Sequence, residues 1–208
     1  MNRPATPGPI PLHRPPRTLP NVEPISWTGS LWRIADKNVL AYRAYPTARY
    51  RFDAPDGQYP ALYTCAVDLG AFAETYVERG RRLGKHEGGR YLIELCPRSP
   101  LSLIDLQDYR VLALFDLDER ISVGDDYEAC QAWALAIYQQ YPAVSGISYR
   151  ARKAGALVTN VFLYADRCAT ELDILSARRL DEIEEVVLRA ADRYRLTIYF
   201  AFNPRNPG

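Results

Sequence analysis

The stretch Ala48–Tyr76, ARYRFDAPDGQYPALYTCAVDLGAFAETY, joins a turn, a strand and a helix within one short unit. Pro55-Asp56-Gly57 reads as the turn, because proline fixes φ and glycine tolerates φ > 0. Tyr59 to Ala66 reads as the strand, with Tyr59, Ala61, Tyr63 and Cys65 on one face by the two-residue period. Asp68 then suits the N-cap of a helix from Leu69 to about Arg79, ended by Gly80. On that helix Phe72 and Tyr76 share one face and Glu74 lies on the neighbouring one. A cation (Arg51), an aromatic platform (Tyr63) and a carboxylate (Glu74) thus fall on consecutive elements. Together they suit an anionic, aromatic ligand whose reaction develops positive charge. The plain alternative is that Arg51 and Glu74 simply pair with each other.

Composition narrows the classes. A chain of 208 residues fits one domain with a tail. A net charge of +1 supplies no global field for nucleic acid or anionic lipid, so neither is an expected partner. No run approaches the roughly 18 consecutive apolar residues of a membrane span, and the N-terminus lacks the apolar core of a secretory signal. Cys65, Cys96, Cys130 and Cys168 are widely spaced, with two histidines in the chain, which argues against a metal site and for reduced thiols in a cytoplasmic protein.

Working outward, residues 1–24 hold eight of the sixteen prolines and read as an extended or disordered N-terminal tail, lying along the domain or loose in solvent. The folded domain is expected over 25–203, with 204–208 as a short tail. Residues 35–50 are turn-rich, and Arg79–Arg90, basic and glycine-rich, reads as a connecting loop. Tyr91–Cys96 is expected as a strand and Leu101–Leu106 and Val111–Phe115 as short apolar runs. Asp125 or Asp126 is expected to cap a helix to about Gln140, with Ala129, Trp133, Ile137 and Tyr141 at helical spacing. Gly146–Arg150 and Val158–Tyr164 read as paired strands, Ala177–Tyr194 as an amphipathic helix and Leu196–Phe202 as a final strand. Strands outnumber helices and interleave irregularly, so the expected class is α+β with mixed or antiparallel sheets and flanking helices.

The ordered segments WRI (Trp32–Ile34), RYRFDAP (Arg49–Pro55), LYTC (Leu62–Cys65), AFAE (Ala71–Glu74), LIDLQD (Leu103–Asp108), DYEACQAWALAI (Asp126–Ile137), GISYRAR (Gly146–Arg152) and NVFLY (Asn160–Tyr164) resemble the RES domain family over about residues 31 to 165. The resemblance implies an ADP-ribosyltransferase-like fold and a toxin of a bacterial toxin–antitoxin pair. It implies NAD as substrate, with no resident cofactor, and cleavage of its nicotinamide–ribose bond by hydrolysis or phosphorolysis. A cognate antitoxin is the implied protein partner; a homo-oligomer stays open, and transfer of ADP-ribose to a macromolecule ranks below cleavage. The family's arginines fall on Arg33 and Arg51, its tyrosine on Tyr63 and its glutamate on Glu74. Its serine, in a Tyr-x-Ser-Arg pattern, falls on Ala151 within Tyr149-Arg150-Ala151-Arg152, where there is no hydroxyl. Ser148 is near but an odd number of residues away, so on a strand it faces the other side.

The residue types fit that chemistry. Bond cleavage at the ribose passes through an oxocarbenium-like state, which a carboxylate stabilises, a role for Glu74. The planar forks of Arg33 and Arg51 match pyrophosphate oxygens. Tyr63 offers a ring for nicotinamide or a hydroxyl for ribose. The pocket's other wall is expected from Tyr149, Ala151 and Arg152. Losing one hydrogen bond of about 0.5–1.5 kcal/mol, or about 1.5–3 to a charged partner, removes roughly one to two decades of rate. The expectations are therefore an attenuated NAD-cleaving enzyme or, alternatively, a RES-like module that binds NAD or a protein without turnover.

Overall fold

The structure, a computed structural model, describes residues 11–36, 47–77, 80–155 and 157–203. Its strands, in chain order, are β1 (Ile25–Trp27), β2 (Leu31–Ala35), β3 (Ala61–Cys65), β4 (Arg82–Leu83), β5 (Tyr91–Pro97), β6 (Leu101–Asp105), β7 (Gly146–Arg150), β8 (Thr159–Tyr164), β9 (Leu172–Arg179) and β10 (Thr197–Ile198). Eight of them form one sheet in the order β1-β6-β7-β8-β3-β2-β5-β9, and β4 pairs with β10 as a separate parallel ribbon. Within the sheet β6 and β7 are parallel and every other neighbour is antiparallel, so the architecture is mixed. The helices are α1 (Asp68–Tyr76), α2 (Tyr109–Leu114), α3 (Arg120–Val123), α4 (Tyr127–Gln140), α5 (Ala165–Cys168) and α6 (Glu184–Tyr194).

Alternation along the strands divides the core. Leu62, Val161 and Leu163 join Leu31, Ile93 and Leu103 on one face. On the other face two clusters form. Phe52, Tyr59, Phe162 and Tyr164 pack with Trp133 and Ile137 of α4, while Cys65 and Ile34 pack with Phe72 and Tyr76 of α1 and Val187 of α6. Helix α4 starts where the sequence indicates, with the Asp126 carboxylate accepting the Ala129 N–H at 3.1 Å. Helix α1 lies so close to β3 that a Cβ on Gly70 would sit 2.2 Å from the Cys65 sulfur, which requires glycine there. Its N-cap is Val67, and Asp68 is the first helical residue, its carboxylate accepting the Leu69 N–H at 2.6 Å. The expected end of this helix, Glu78 and Arg79, lies outside the described residues, as do Tyr42, Tyr45 and Pro46 of the turn-rich segment.

Three elements differ from expectation, the first being Arg82–Leu83, which pairs with β10 inside the segment read as a connecting loop. Residues 177–179 are strand, because Ala177, Arg178 and Arg179 pair with Ile93, Leu92 and Tyr91 of β5. The helical stripe is real only from Glu184 onward, where Val187, Ala190 and Tyr194 are buried; sheet pairing overrides helix propensity before it. The final strand is likewise short, Thr197 and Ile198 alone pairing with β4.

Residues 11–24 lie along the domain. Leu12, Leu19 and Val22 are buried in the α4 cluster. The Trp133 indole donates to the His13 carbonyl at 2.7 Å, the Leu19 N–H donates to Gln140 Oε1 at 2.8 Å, and the Tyr141 hydroxyl donates to the Pro20 carbonyl. Residues 1–10 and 204–208 of the expected tails lie outside the described residues.

The segment 49–57 is shaped from inside. Gly57 takes φ 72°, closing the Pro55-Asp56-Gly57 turn. Asp53, 2 % exposed, accepts the N–H groups of Arg49 and Tyr50 on Oδ2, each at 2.9 Å, and the Tyr63 hydroxyl on Oδ1 at 3.0 Å. A buried carboxylate is tolerated because three donors meet it. A second buried carboxylate, Glu87, accepts from the Tyr76 hydroxyl at 2.6 Å and from Arg90 Nη1 at 3.1 Å, tying α1 to the start of β5. Exposed His86 also lies 3.0 Å from its Oε1.

Two outcomes follow. Asp53→Ala strands three donors around a buried site and lowers unfolding free energy by about 3 kcal/mol in urea denaturation; a loss below about 1 kcal/mol would show that the turn holds without its carboxylate. For Glu87, burial works against the charge, but the Tyr76 and Arg90 hydrogen bonds prevail and hold the carboxyl below its ordinary value. Its stabilisation is therefore complete above the unfolded glutamate pKa of about 4.3 and is lost as pH falls through the lower folded value. Thermal melts should fall more steeply with acid in the wild type than in Glu87→Gln, and parallel curves would refute the coupling.

Candidate functional site

Where the two clusters of the inner face meet, a cavity of about 300 Å³ opens between β2, β3, α1 and the ends of β7 and β8. Arg33, Arg51, Tyr63, Glu74, Tyr149 and Arg152 all line it. Six residues from five separate segments of sequence thus converge on one space.

Arg51 leaves the Asp53 turn and is 7 % exposed. Its Nη1 donates to the Ile121 carbonyl at 3.2 Å and its Nη2 to the Gly124 carbonyl at 2.8 Å, and the guanidinium lies 4.8 Å from the Tyr127 ring centroid. Among the described residues it forms no ion pair with Glu74, so the plain alternative of a simple Arg51–Glu74 pair does not hold. A guanidinium carries five N–H groups, so Arg51 can clamp the 121–124 segment and still present donors to the cavity.

Tyr63 projects from β3 into the same space, but its hydroxyl accepts the Phe52 N–H at 2.9 Å and donates to Asp53. Burial, then the Asp53 charge, pushes its pKa well above the ordinary tyrosine range. Of the two roles expected for Tyr63, ring for nicotinamide or hydroxyl for ribose, the second would use a hydroxyl that already has two partners in the fold. The oxygen is engaged within the fold, and the ring, edge-on to Tyr50 at 5.8 Å, borders the cavity.

Glu74, half-buried on α1, receives the Lys153 N–H on Oε1 at 3.1 Å, which joins α1 to the basic turn after β7. Its charge is felt nearby. Burial first and Glu74 second raise the Tyr149 hydroxyl, and burial pushes the Cys65 thiol up to about 11 with Glu74 contributing. Neither group titrates near neutrality, and Glu74 is the one carboxylate among the lining residues described. Tyr149 stands edge-on to Phe52 at 4.9 Å, and Arg152 is ion-paired with Asp125, whose carboxyl it holds below the usual range.

Ala151, expected on the wall, is not there. It is 2 % exposed within the apolar cluster of Cys65, Ala71 and Phe72, at the point where the chain leaves β7 and the Ala151 N–H donates to the Val158 carbonyl. Ser148 faces the opposite side of the sheet, donating to Asp105 Oδ1 at 3.1 Å and accepting from Gln107.

Of the wall residues that were not anticipated, three stand out. Arg90, within the segment read as a connecting loop, is held by Glu87 and the Ile34 carbonyl and reaches the cavity. Ser122 and Asn160 are each 1 % exposed and line it too, and the Ser122 hydroxyl and both amide atoms of Asn160 have no hydrogen-bond partner. A buried polar side chain inside an apolar strand such as NVFLY was the one available signal for Asn160. Among the described residues no cluster of three or more His, Cys, Asp or Glu is placed to hold a metal ion, and no helix is long and apolar enough to cross a membrane.

Comparison with known proteins bears on the fold and the family. Among solved structures, the toxin in the crystal structure of the M. tuberculosis MbcT–MbcA toxin–antitoxin complex superposes with a TM-score of 0.59 at 19 % identity, covering 76 % of this chain and 87 % of that one. The likeness establishes the fold, α+β with one mixed eight-stranded sheet and flanking helices. No curated protein matches the chain. Residues 30–183 match the RES domain, a span that takes in every residue of the cavity wall named above, and the chain belongs to the RES domain family.

Proposed function

We propose that this RES-domain protein cleaves the nicotinamide–ribose bond of NAD in the bacterial cytoplasm. The observation that carries the reading is the convergence of Arg33, Arg51, the Tyr63 ring and Glu74 on one cavity. At about 300 Å³ it lies at the small end of ligand sites, which suits the nicotinamide riboside half of the dinucleotide, the remainder extending from the mouth. The ring stacks against Tyr63, and the arginines hold the pyrophosphate. As the C1′–N bond breaks, its electron pair neutralises the pyridinium nitrogen and leaves an oxocarbenium-like ribose beside Glu74. Oxygen of water or of inorganic phosphate then bonds to C1′, giving ADP-ribose or its 1″-phosphate; water gives up its proton to Glu74 or solvent.

Purified protein should release nicotinamide from NAD. Glu74→Gln, which keeps the acceptor for the Lys153 N–H, should lower that rate at least about 100-fold while leaving NAD binding nearly unchanged. A mutant rate equal to wild type would sink the assignment. Arg51→Lys keeps the charge but loses the fork that both clamps 121–124 and meets phosphate, so the KM for NAD should rise by about tenfold with a smaller change in kcat.

The second reading, binding without turnover, draws on position 151, where no hydroxyl is available. It predicts NAD binding by calorimetry with no nicotinamide release, with or without phosphate. Under either reading we propose an antitoxin partner, because the structural relative is a toxin held in complex with its antitoxin.

A further inference from the structure

Asn160 occupies the centre of the sheet, level with Cys65 on β3 and Tyr149 on β7. Its carboxamide is 1 % exposed and lines the cavity, and neither Oδ1 nor Nδ2 has a hydrogen-bond partner. The Tyr149 hydroxyl lies beside the amide, an interaction that favours its ionised form, but burial keeps the phenol neutral and it meets neither Oδ1 nor Nδ2 in hydrogen-bond geometry. A buried amide with no partner is both rare and unfavourable, and a strand between two neighbours cannot swing it out to water. Such a group is accounted for when its partner arrives with the ligand.

The partner's chemistry can be read from the amide itself. Side by side it offers one acceptor and one donor. A primary carboxamide is the reciprocal group, its carbonyl accepting from Nδ2 while its NH₂ donates to Oδ1. A carboxylate offers acceptors alone, so one of its oxygens would face the Oδ1 lone pairs, in a cavity that already holds Glu74. We propose that Asn160 recognises the primary carboxamide of the ligand's pyridine ring and makes the site selective for nicotinamide over nicotinate compounds. The proposal rests on the NAD reading of the cavity.

Calorimetric titration of nicotinamide and of nicotinate into wild type, Asn160→Leu and Asn160→Asp tests it, with nicotinamide release from NAD followed in parallel. Wild type should prefer nicotinamide by at least about tenfold. Asn160→Leu should weaken nicotinamide at least about tenfold and abolish the preference, yet melt at or above the wild-type temperature, because it replaces an amide that has no partner in the empty fold. Asn160→Asp, which exchanges the donor for an acceptor at constant shape, carries the same test should the leucine variant fold poorly. Equal affinity of the wild type for the two compounds, no binding of nicotinamide, or a preference retained in the variants overturns the proposal. Asn160-dependent nicotinamide binding without NAD cleavage sustains it while removing the catalytic reading; NAD cleavage with an unchanged preference in the variants does the reverse.

Discussion

The buried carboxylate of Asp53 is the contact from which the cavity is built. By accepting two successive backbone N–H groups and the Tyr63 hydroxyl, it fixes the path of residues 49–53 relative to β3. Arg51 leaves that path with its direction determined and reaches the carbonyls of Ile121 and Gly124. One anion therefore sets the position of one cation, and that cation in turn places the segment bearing Ser122 against the opposite wall. The low polarizability of the surroundings strengthens each step, since hydrogen bonds to charged groups are worth more away from water.

This chain of dependence gives Tyr63 two separable halves. Its oxygen belongs to the fold and its ring to the site. Glu74 is arranged similarly, one oxygen receiving the Lys153 N–H while the carboxylate borders the cavity. Site residues that also carry structural hydrogen bonds have few rotamers available, which keeps the wall preorganised. The same sharing means that truncating either side chain perturbs fold and function together, and only isosteric changes separate the two.

Much of this was legible in the chain. The turn–strand–helix unit of 48–76 carries its own signals, and α4, β7 and β8 appear within a residue or two of their expected limits. The α+β class followed from the interleaving, and the four positions singled out by the resemblance, 33, 51, 63 and 74, all meet at the cavity. What was hidden depends on contacts distant in sequence. Residues 177–179 look helical until β5 is there to pair with them. Tyr63 looks like a free hydroxyl until Asp53 folds over it. Ala151 belongs to the right segment, yet the exit from β7 turns it into apolar packing. Ser122 has no local pattern at all, and Asn160 only its polarity in an apolar strand, because an unmet hydrogen bond exists only in three dimensions.

The proline-bearing segment 11–24 has a further consequence. Prolines restrict the unfolded chain before it docks, so less conformational entropy is lost when Leu12, Leu19 and Val22 enter the α4 cluster. Its carbonyls at His13 and Pro20 accept from Trp133, midway along α4, and from Tyr141, just past its end. The segment thus acts as a stiff splint fastened at two points along α4. Peeling it away uncovers an indole and a phenol at once, so release of the splint and loosening of the domain it braces become a single cooperative event.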